Sequence, residues 1–593
     1  MNLSDKLNII LKDYSTGKKE SAYKKFKKIY LQNNKDIKLR YNLAVMQQEL
    51  GLLDEAETNY ISLLEHSEDT KYQINLYNIY ITKGLYQSAL DLINAIQSKN
   101  SSLIQVNKDK AYILYLLKNY NGSINECNTI LNINRKDANT LNTLGLCYFL
   151  LKKYDEADKI FLEALSLDNK NIKILNSLGR LNHEQRKSKE AGAYFDKAIN
   201  LYPNNFETLN NIAGFYLEEG DYQKAMNFYK KAEKLSPNNS ILINNLAKIF
   251  IFINDIRNAE RHCKKAISID QHNDEFKKTL SLIQLKKYDF KNAWLSFDSR
   301  LRLSEFSKKN PTLKLIQKKL PKNILDRDSK ILVIREQGVG DEILYGTMYL
   351  DLLNKFSDLT IECDERLIPL FKNSFKSHKD KFVKLGTHSS NIDEINNFDN
   401  IIYAGSLGKY LRNDLSSFSQ NSYLKNIENY KDLELDNILD KSQGLKIGIS
   451  WRSFKNRYSS EKSLSLEDFE NVLNINNSII FNLQYGDVKD ELKSFIKKQN
   501  YKIITLNNLD LFNNFSGLAN VLKNLDLFVT VSNSTAHLSS ALGVRTILIK
   551  PANHASFHYW DYEDGKTPWY KSVHIISKEN LKDKYFIRDL IKL

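Results

Sequence analysis

The sequence predicts two fold classes in one chain, an all-α superhelix of helical hairpins followed by an α/β region of two lobes. Three observations predict this. Small and aromatic residues recur every 34 positions over roughly residues 3–305. The recurrence fails in a basic, Pro-punctuated stretch, FSKKNPTLKLIQKKLPKNILDRDS at 306–329. Beyond it, β-branched apolar runs alternate with helical stretches, the pattern of a parallel sheet.

The repeat is read from columns. Ala157, Ala191, Ala225 and Ala259 form one, Phe161, Phe195 and Tyr229 a second that continues in Cys263 and Phe297, and Ala164, Ala198, Ala232 and Ala266 a third. Gly145 and Gly179 share the spacing, and Pro203 and Pro237 close successive units where a helix must stop. Small residues let antiparallel helices approach, and aromatics fill the space between units. The period, the LG…Y…A…F…A…P order and turn pieces such as KKYDEA and GDYQKA resemble the tetratricopeptide repeat. Extending the register gives about nine units over 1–305.

In that family the first helix of each unit lines a concave surface that binds polypeptide. Asn142, Asn176, Asn210 and Asn244 recur at the fifth position of that helix. An amide offers both a donor and an acceptor, so the column could grip the backbone of an extended acceptor chain. The arm of protein O-GlcNAc transferases has the same arrangement. A chain this rich in Asn could also align one such column by composition, and the sequence leaves both readings open.

After the connector, KILVIR (330–335) and LTIEC (359–363) read as strands flanking a helix, a βαβ unit within a first lobe at 330–440. GLKIGISW (444–451), NLDLFVTV (524–531) and VRTILIKP (544–551) belong to a second lobe at 441–593. The loop in ILVIREQGVGDEI admits three chemistries. A Walker loop is excluded, because no Gly-Lys-Ser/Thr follows. A dinucleotide fingerprint is partly met by Gly338, Gly340 and an acid at Glu362 or Asp364, but Ile343 stands where its third glycine belongs. The third use is to bring Asp341 to the head of a helix at the strand's C-terminal end.

REQGVGDEI resembles the loop of heptosyltransferase-like glycosyltransferases of the two-lobed GT-B fold. LFVTVSNSTAHLSSALG is similar to their C-lobe strand–turn–helix, and SLSLEDF (463–469) also matches. FKNAWLSFDSRLRL (290–303) and DGKTPWYKS (564–572) resemble segments of bacterial proteins that fuse tetratricopeptide arrays to this transferase, some of them protein- or flagellin-modifying. The resemblance implies a tetratricopeptide-repeat superhelix followed by an α/β two-lobed, GT-B-like, Rossmann-type glycosyltransferase. It implies a nucleotide-sugar donor, no metal and no further cofactor, and inversion at the sugar carbon. Asp341 is then the general base, with Glu336 on the same loop as the next candidate. The family's acid at the C-lobe turn is Ser532 here, so the donor, whether hexosyl, heptosyl or nonulosonyl, stays open.

Other candidate donor-binding residues follow from their positions. Gly338 and Gly340 would let the donor approach the loop. Ser532, Asn533, Ser534 and Thr535 offer hydroxyls, an amide and backbone N–H groups at a helix start, with His537 one turn on. The same residues serve equally as helix caps. Arg452 and Lys455, ahead of Arg457 and Lys462, lie in a loop after a strand, where cations could neutralise a departing phosphate.

Composition narrows the partners. At 593 residues the chain needs several cores, and its 42% hydrophobic and 26% charged content is that of a globular protein. The net charge of +15 is spread over both halves, as solvated helix faces spread it, so no nucleic acid is expected. Cys127, Cys147, Cys263 and Cys363 are scattered and form no CxxC pair, which argues against disulfides or zinc. The first residues lack a signal-peptide core and no apolar run approaches the ~18 residues of a membrane span, so a cytoplasmic protein is expected. Two further readings remain: a repeat adaptor with a relic transferase half, and, less favoured, an NAD-dependent oxidoreductase.

Overall fold

The computed structural model describes residues 3–99, 103–303, 306, 312–321, 328–427, 430, 432–440, 443–453, 462–499, 501–550, 558–560, 562 and 565–592. Among these, Leu3–Ser15 through Phe290–Phe297 form eighteen helices, paired as nine hairpins. The turn inside each hairpin places one residue in the left-handed region. These are Gly17, Gly51, Gly84, Lys118, Lys152, Arg186, Gly220, Asn254 and Tyr288, with φ between 59° and 94°. The N–H of the next residue then reaches back five positions, as from Lys153 to the Tyr148 carbonyl at 2.9 Å and from Lys187 to Asn182 at 2.8 Å. This closure satisfies carbonyls that the ending helix leaves open. Asp and Asn side chains cap the starts of many helices, among them Asp36, Asp137, Asn171 and Asn273.

The repeated columns are buried throughout. All eight column alanines have zero exposure. A Cβ on Gly145 or Gly179 would stand 2.5 Å from the ring of Phe161 or Phe195, so each glycine is the surface its unit's aromatic packs on.

The chain divides into two compact units, Met1–Phe215 and Tyr216–Leu593. The division falls inside the helix Phe206–Glu218, well before the composition break that suggested an array ending at 305. The reason lies within the second unit. Phe290, Ala293, Trp294 and Phe297 of the last repeat helix share one hydrophobic core with Ile331 and Val333 of the first strand. The Trp294 indole donates to the Arg412 carbonyl at 2.7 Å, and a Cβ on Gly408 would lie 2.5 Å from that ring.

The α/β part of the second unit has two wholly parallel sheets. One contains β1 (Ile331–Ile334), β2 (Leu359–Cys363), β3 (Phe382–Lys384) and β4 (Asn400–Tyr403), in the order β3-β2-β1-β4. The other contains β5 (Leu445–Ser450), β6 (Ser478–Asn482), β7 (Ile503–Ile504), β8 (Leu527–Val531), β9 (Thr546–Ile549) and β10 (Val573–Ile576). Its order is β10-β9-β8-β5-β6-β7, again all parallel. Each sheet reverses its direction of growth once, between β1 and β4 and between β5 and β8. Open parallel sheets bind ligands at the carboxyl ends of such strands. All four cysteines are free and buried, and no helix among the described residues is long and apolar enough to cross a membrane.

Candidate active site

The site is built from the loops after β1 and β8. β1 is buried along its length, so the chain must leave the sheet before any side chain can reach solvent. Gln337 makes the turn, in the left-handed region at φ 64°. Neither following glycine, Gly338 or Gly340, is in that region. Gly338 instead starts the helix Val339–Gly346, and its N–H donates to Oδ2 of Asp341 at 3.1 Å. Gly340 is needed for close approach: a Cβ there would stand 3.0 Å from His537 Cδ2 and 3.4 Å from Ser534 Cα. The Asp341 helix and the helix Ser534–Ala541 therefore meet directly, one from each sheet.

On the second side, Asn533 is a true helix cap, accepting from the Ala536 N–H at 3.0 Å. Its amide donates to Ser450 Oγ at 2.9 Å, which ties the ends of β5 and β8 together at the switch point. Ser532 and Thr535 are buried, and Ser534 is the half-exposed member of the group. His537 is buried against rings, with its centroid 4.8 Å from Trp560 and 5.0 Å from Tyr559. Its Nδ1 lies 3.2 Å from the Tyr570 hydroxyl. Burial, with the nearby Lys462 and the His558 ring adding to it, pushes its pKa down to about 3, so His537 is neutral.

Asp341 is half-buried beside one of the same rings, that of Tyr559. Its Oδ1 accepts from the Tyr559 hydroxyl at 3.3 Å. Burial raises the carboxyl above its usual range and the Glu336 charge adds to this, while the Gly338 N–H, Tyr559 and Lys462 oppose it. A helix start by itself would lower the pKa. Burial outweighs that effect, so the carboxyl stays above its usual range. Tyr559 and Trp560, from a stretch that begins 218 residues after Asp341, and the buried Lys462 carry no sequence signal that links them to Asp341.

Other candidates are placed differently. Glu336 is 5% exposed and paired with Arg300, 2.5 Å from its Nη2 to Oε1 and 3.0 Å from Nε to Oε2. It also accepts from the Gly405 N–H at 2.5 Å, so its oxygens are committed and it does not face the site as a spare base. The acids of the dinucleotide reading are committed too. Glu362 accepts from the backbone of Gly386, His388 and Ser389, and Asp364 pairs with Arg335 and Arg366 at 3.0 and 2.8 Å. Neither carboxylate is left to hold a ribose. Arg452 reaches Glu491 at 2.9 Å. The side chain holding that loop's start is Gln484, whose Oε1 accepts from the N–H groups of Trp451 and Arg452 at 2.8 and 2.6 Å. Lys455 and Arg457 lie outside the described residues.

In the first unit, a cavity of about 390 Å³ opens along first helices of successive repeats. Asn142 and Asn176 line it with Tyr112, Tyr115 and Arg180. The Asn column was expected to present its amides to this groove. Asn142, Asn176 and Asn244 are 6%, 2% and 2% exposed, with carbonyl oxygens that have no partner among the described residues; Asn210 is half-buried. The Asn176 amide donates to Thr208 Oγ1 at 3.0 Å, so this member of the column also fastens one first helix to the next.

Profiles of the tetratricopeptide repeat match residues 136–204, 194–227 and 216–283. Residues 136–283 of the array are thus tetratricopeptide repeats. Protein FlbA of Caulobacter vibrioides is 25% identical over 270 residues, 42% of this chain and 43% of FlbA, so the match spans less than half of that relative. Among solved structures, a tetratricopeptide repeat protein from Parabacteroides merdae is 21% identical, covers 42% of this chain and 98% of its own, and has a TM-score of 0.36. YrrB, a repeat protein described as having an unusual peptide-binding site, is 18% identical over 30% of this chain and 92% of its own, with a TM-score of 0.23.

Proposed function

We propose that the chain is a glycosyltransferase that moves a sugar from a nucleotide-sugar donor to a polypeptide docked on the repeat array. One observation carries this reading: the helix start that bears Asp341, at the switch point of the first sheet, packs against the helix that starts at the switch point of the second. Its two parallel sheets and opposed loops suit a GT-B arrangement, with the donor's phosphates at the start of Ser534–Ala541 and its sugar near Ser532.

In this reading Asp341 takes the proton from the acceptor hydroxyl as that oxygen attacks the anomeric carbon. The bond from carbon to the nucleotide's phosphate oxygen breaks, its electron pair stays on the phosphate, and the sugar carbon inverts. The N–H groups at the helix start and the cations of the loop after β5, Lys462 first among them, stabilise the charge that develops there. Neutral His537 offers a ring face and one N–H, and adds no charge.

A melting-temperature screen of the full chain against nucleotide sugars, free nucleotides and NAD tests this. The transferase reading expects a rise with one nucleotide-sugar family, worth about 2.7 kcal/mol at a hundredfold excess over Kd. A second reading, a repeat adaptor with a relic transferase half, is favoured by the direct contact of Gly340 with His537, which leaves little room between the helices. It expects no rise with any of them.

A further inference from the structure

The Arg300–Glu336 pair carries an inference that rests on the transferase reading and deepens it. We propose that Arg300 is a positioning residue, through which the last turn of the repeat array fixes the loop that presents Asp341. Three chain segments converge on its guanidinium. Its own turn, Asp298–Arg302, closes on it through the Phe297 carbonyl at 3.3 Å and Asp298 Oδ1 at 3.2 Å. The loop after β1 supplies both Glu336 oxygens. The turn after β4 supplies Ser406 Oγ at 3.0 Å, which in turn donates to Asp298 at 2.6 Å.

β1 and β4 are the two strands that flank the switch point, so this one side chain spans it. Glu336 precedes Asp341 by only the left-handed Gln337 and the first residues of the helix. A shift of Glu336 therefore moves the helix start and the carboxylate with it. The Gly405 N–H can reach Glu336 because position 405 has no side chain; a Cβ there would overlap the carboxylate. Arg300 is 5% exposed, and its guanidinium lies 4.4 Å above the Phe297 ring. Burial alone would lower its pKa, but Glu336 and Asp298 raise it, so the cation is permanent. Only a planar fork makes these contacts together, and a lysine would keep the charge but lose the geometry.

The test uses the full chain with Arg300→Lys. Hydrogen exchange is followed in peptides from 331–346 and 400–410, with 527–543 as the internal control. Sugar transfer, once a donor is found, is followed beside it. The proposal expects several-fold faster exchange in the first two regions and none in the control, with kcat down tenfold to a hundredfold and donor KM within about twofold. Unchanged exchange at 331–346 overturns it. So does full turnover in the uncharged pair Arg300→Met with Glu336→Leu, which would reduce the ion pair to packing. If the wild-type chain transfers no sugar, the transferase reading fails while the exchange data still decide whether Arg300 holds the loop. Should Arg300→Lys not fold, Ser406→Ala replaces it, with a smaller change in the same direction expected and no change overturning the proposal.

Discussion

The Tyr559 hydroxyl donates to Oδ1 of Asp341 across 3.3 Å, so a side chain of the C-terminal lobe holds one oxygen of a carboxylate in the N-terminal lobe. The other oxygen accepts from Gly338. Tyr559→Phe removes a donor to the charged form, which raises the Asp341 pKa further. The acid limb of the pH–kcat profile should therefore move to higher pH, with the loss confined to the acid side of the profile. An unmoved limb would mean that Asp341 is not the titrating base.

Asp341→Asn keeps an oxygen to accept from Gly338 and so keeps the cap, but it takes up no proton. Turnover should fall about a hundredfold or more, with donor affinity and Tm nearly unchanged. Steady-state kinetics beside thermal melting separates this from a structural role, in which Tm would fall and turnover per folded molecule would not.

Glu342, buried beside Arg335, should make stability depend on pH. Burial raises its pKa to about 7, and Arg335 only partly offsets this. The folded protein then holds a proton that the unfolded chain releases near 4.5, so this contribution is present at low pH and is lost as pH rises from about 4.5 through 7. Relative to Glu342→Gln, the wild type should lose stability on the order of 2–3 kcal/mol between pH 5 and 8. Parallel melting curves for the two proteins across that range would refute the assignment.

Gly340→Ala places a methyl group 3.0 Å from the His537 ring, where rigid neighbours on both helices limit relaxation. It should cost about 1–3 kcal/mol, and Gly340→Val more. Thermal unfolding measures it. An unchanged Tm for Gly340→Val would show that the two helices do not pack in solution as they do here.

What the sequence made legible was whatever repeats or runs locally. The alanine columns stand out because every unit buries the same face, and β1 because ILVI has no exposed position. The left-handed turn was only half visible, since Gly84 and Gly220 mark it but Lys152 and Tyr288 occupy the same place. Lys152→Gly should stabilise the array by up to about 1 kcal/mol and Gly84→Val should destabilise it, a contrast that melting of the helical signal can read. The site was legible only in its loops. Asp341 was singled out from its own strand and helix, whereas Tyr559, which bonds it, and Arg300, which holds the loop through Glu336, arrive by folding across many residues, and no local pattern announces such a partner. The pairing of Glu336 was hidden for the same reason, because it depends on an arginine 36 positions earlier. The Asn column was found by period, but its burial depends on how neighbouring first helices pack, as Asn176 on Thr208 shows.

The central claim is that the carboxylate of Asp341 is the base for sugar transfer from a nucleotide donor to a docked polypeptide. The most direct measurement is the intact mass of the polypeptides captured by the full chain, before and after incubation with a panel of nucleotide sugars, for wild type and Asp341→Asn. The account predicts a mass increment of one or more sugar residues with wild type and one donor family, and none above background with Asp341→Asn. No increment with any donor, or equal increments with both proteins, would contradict it.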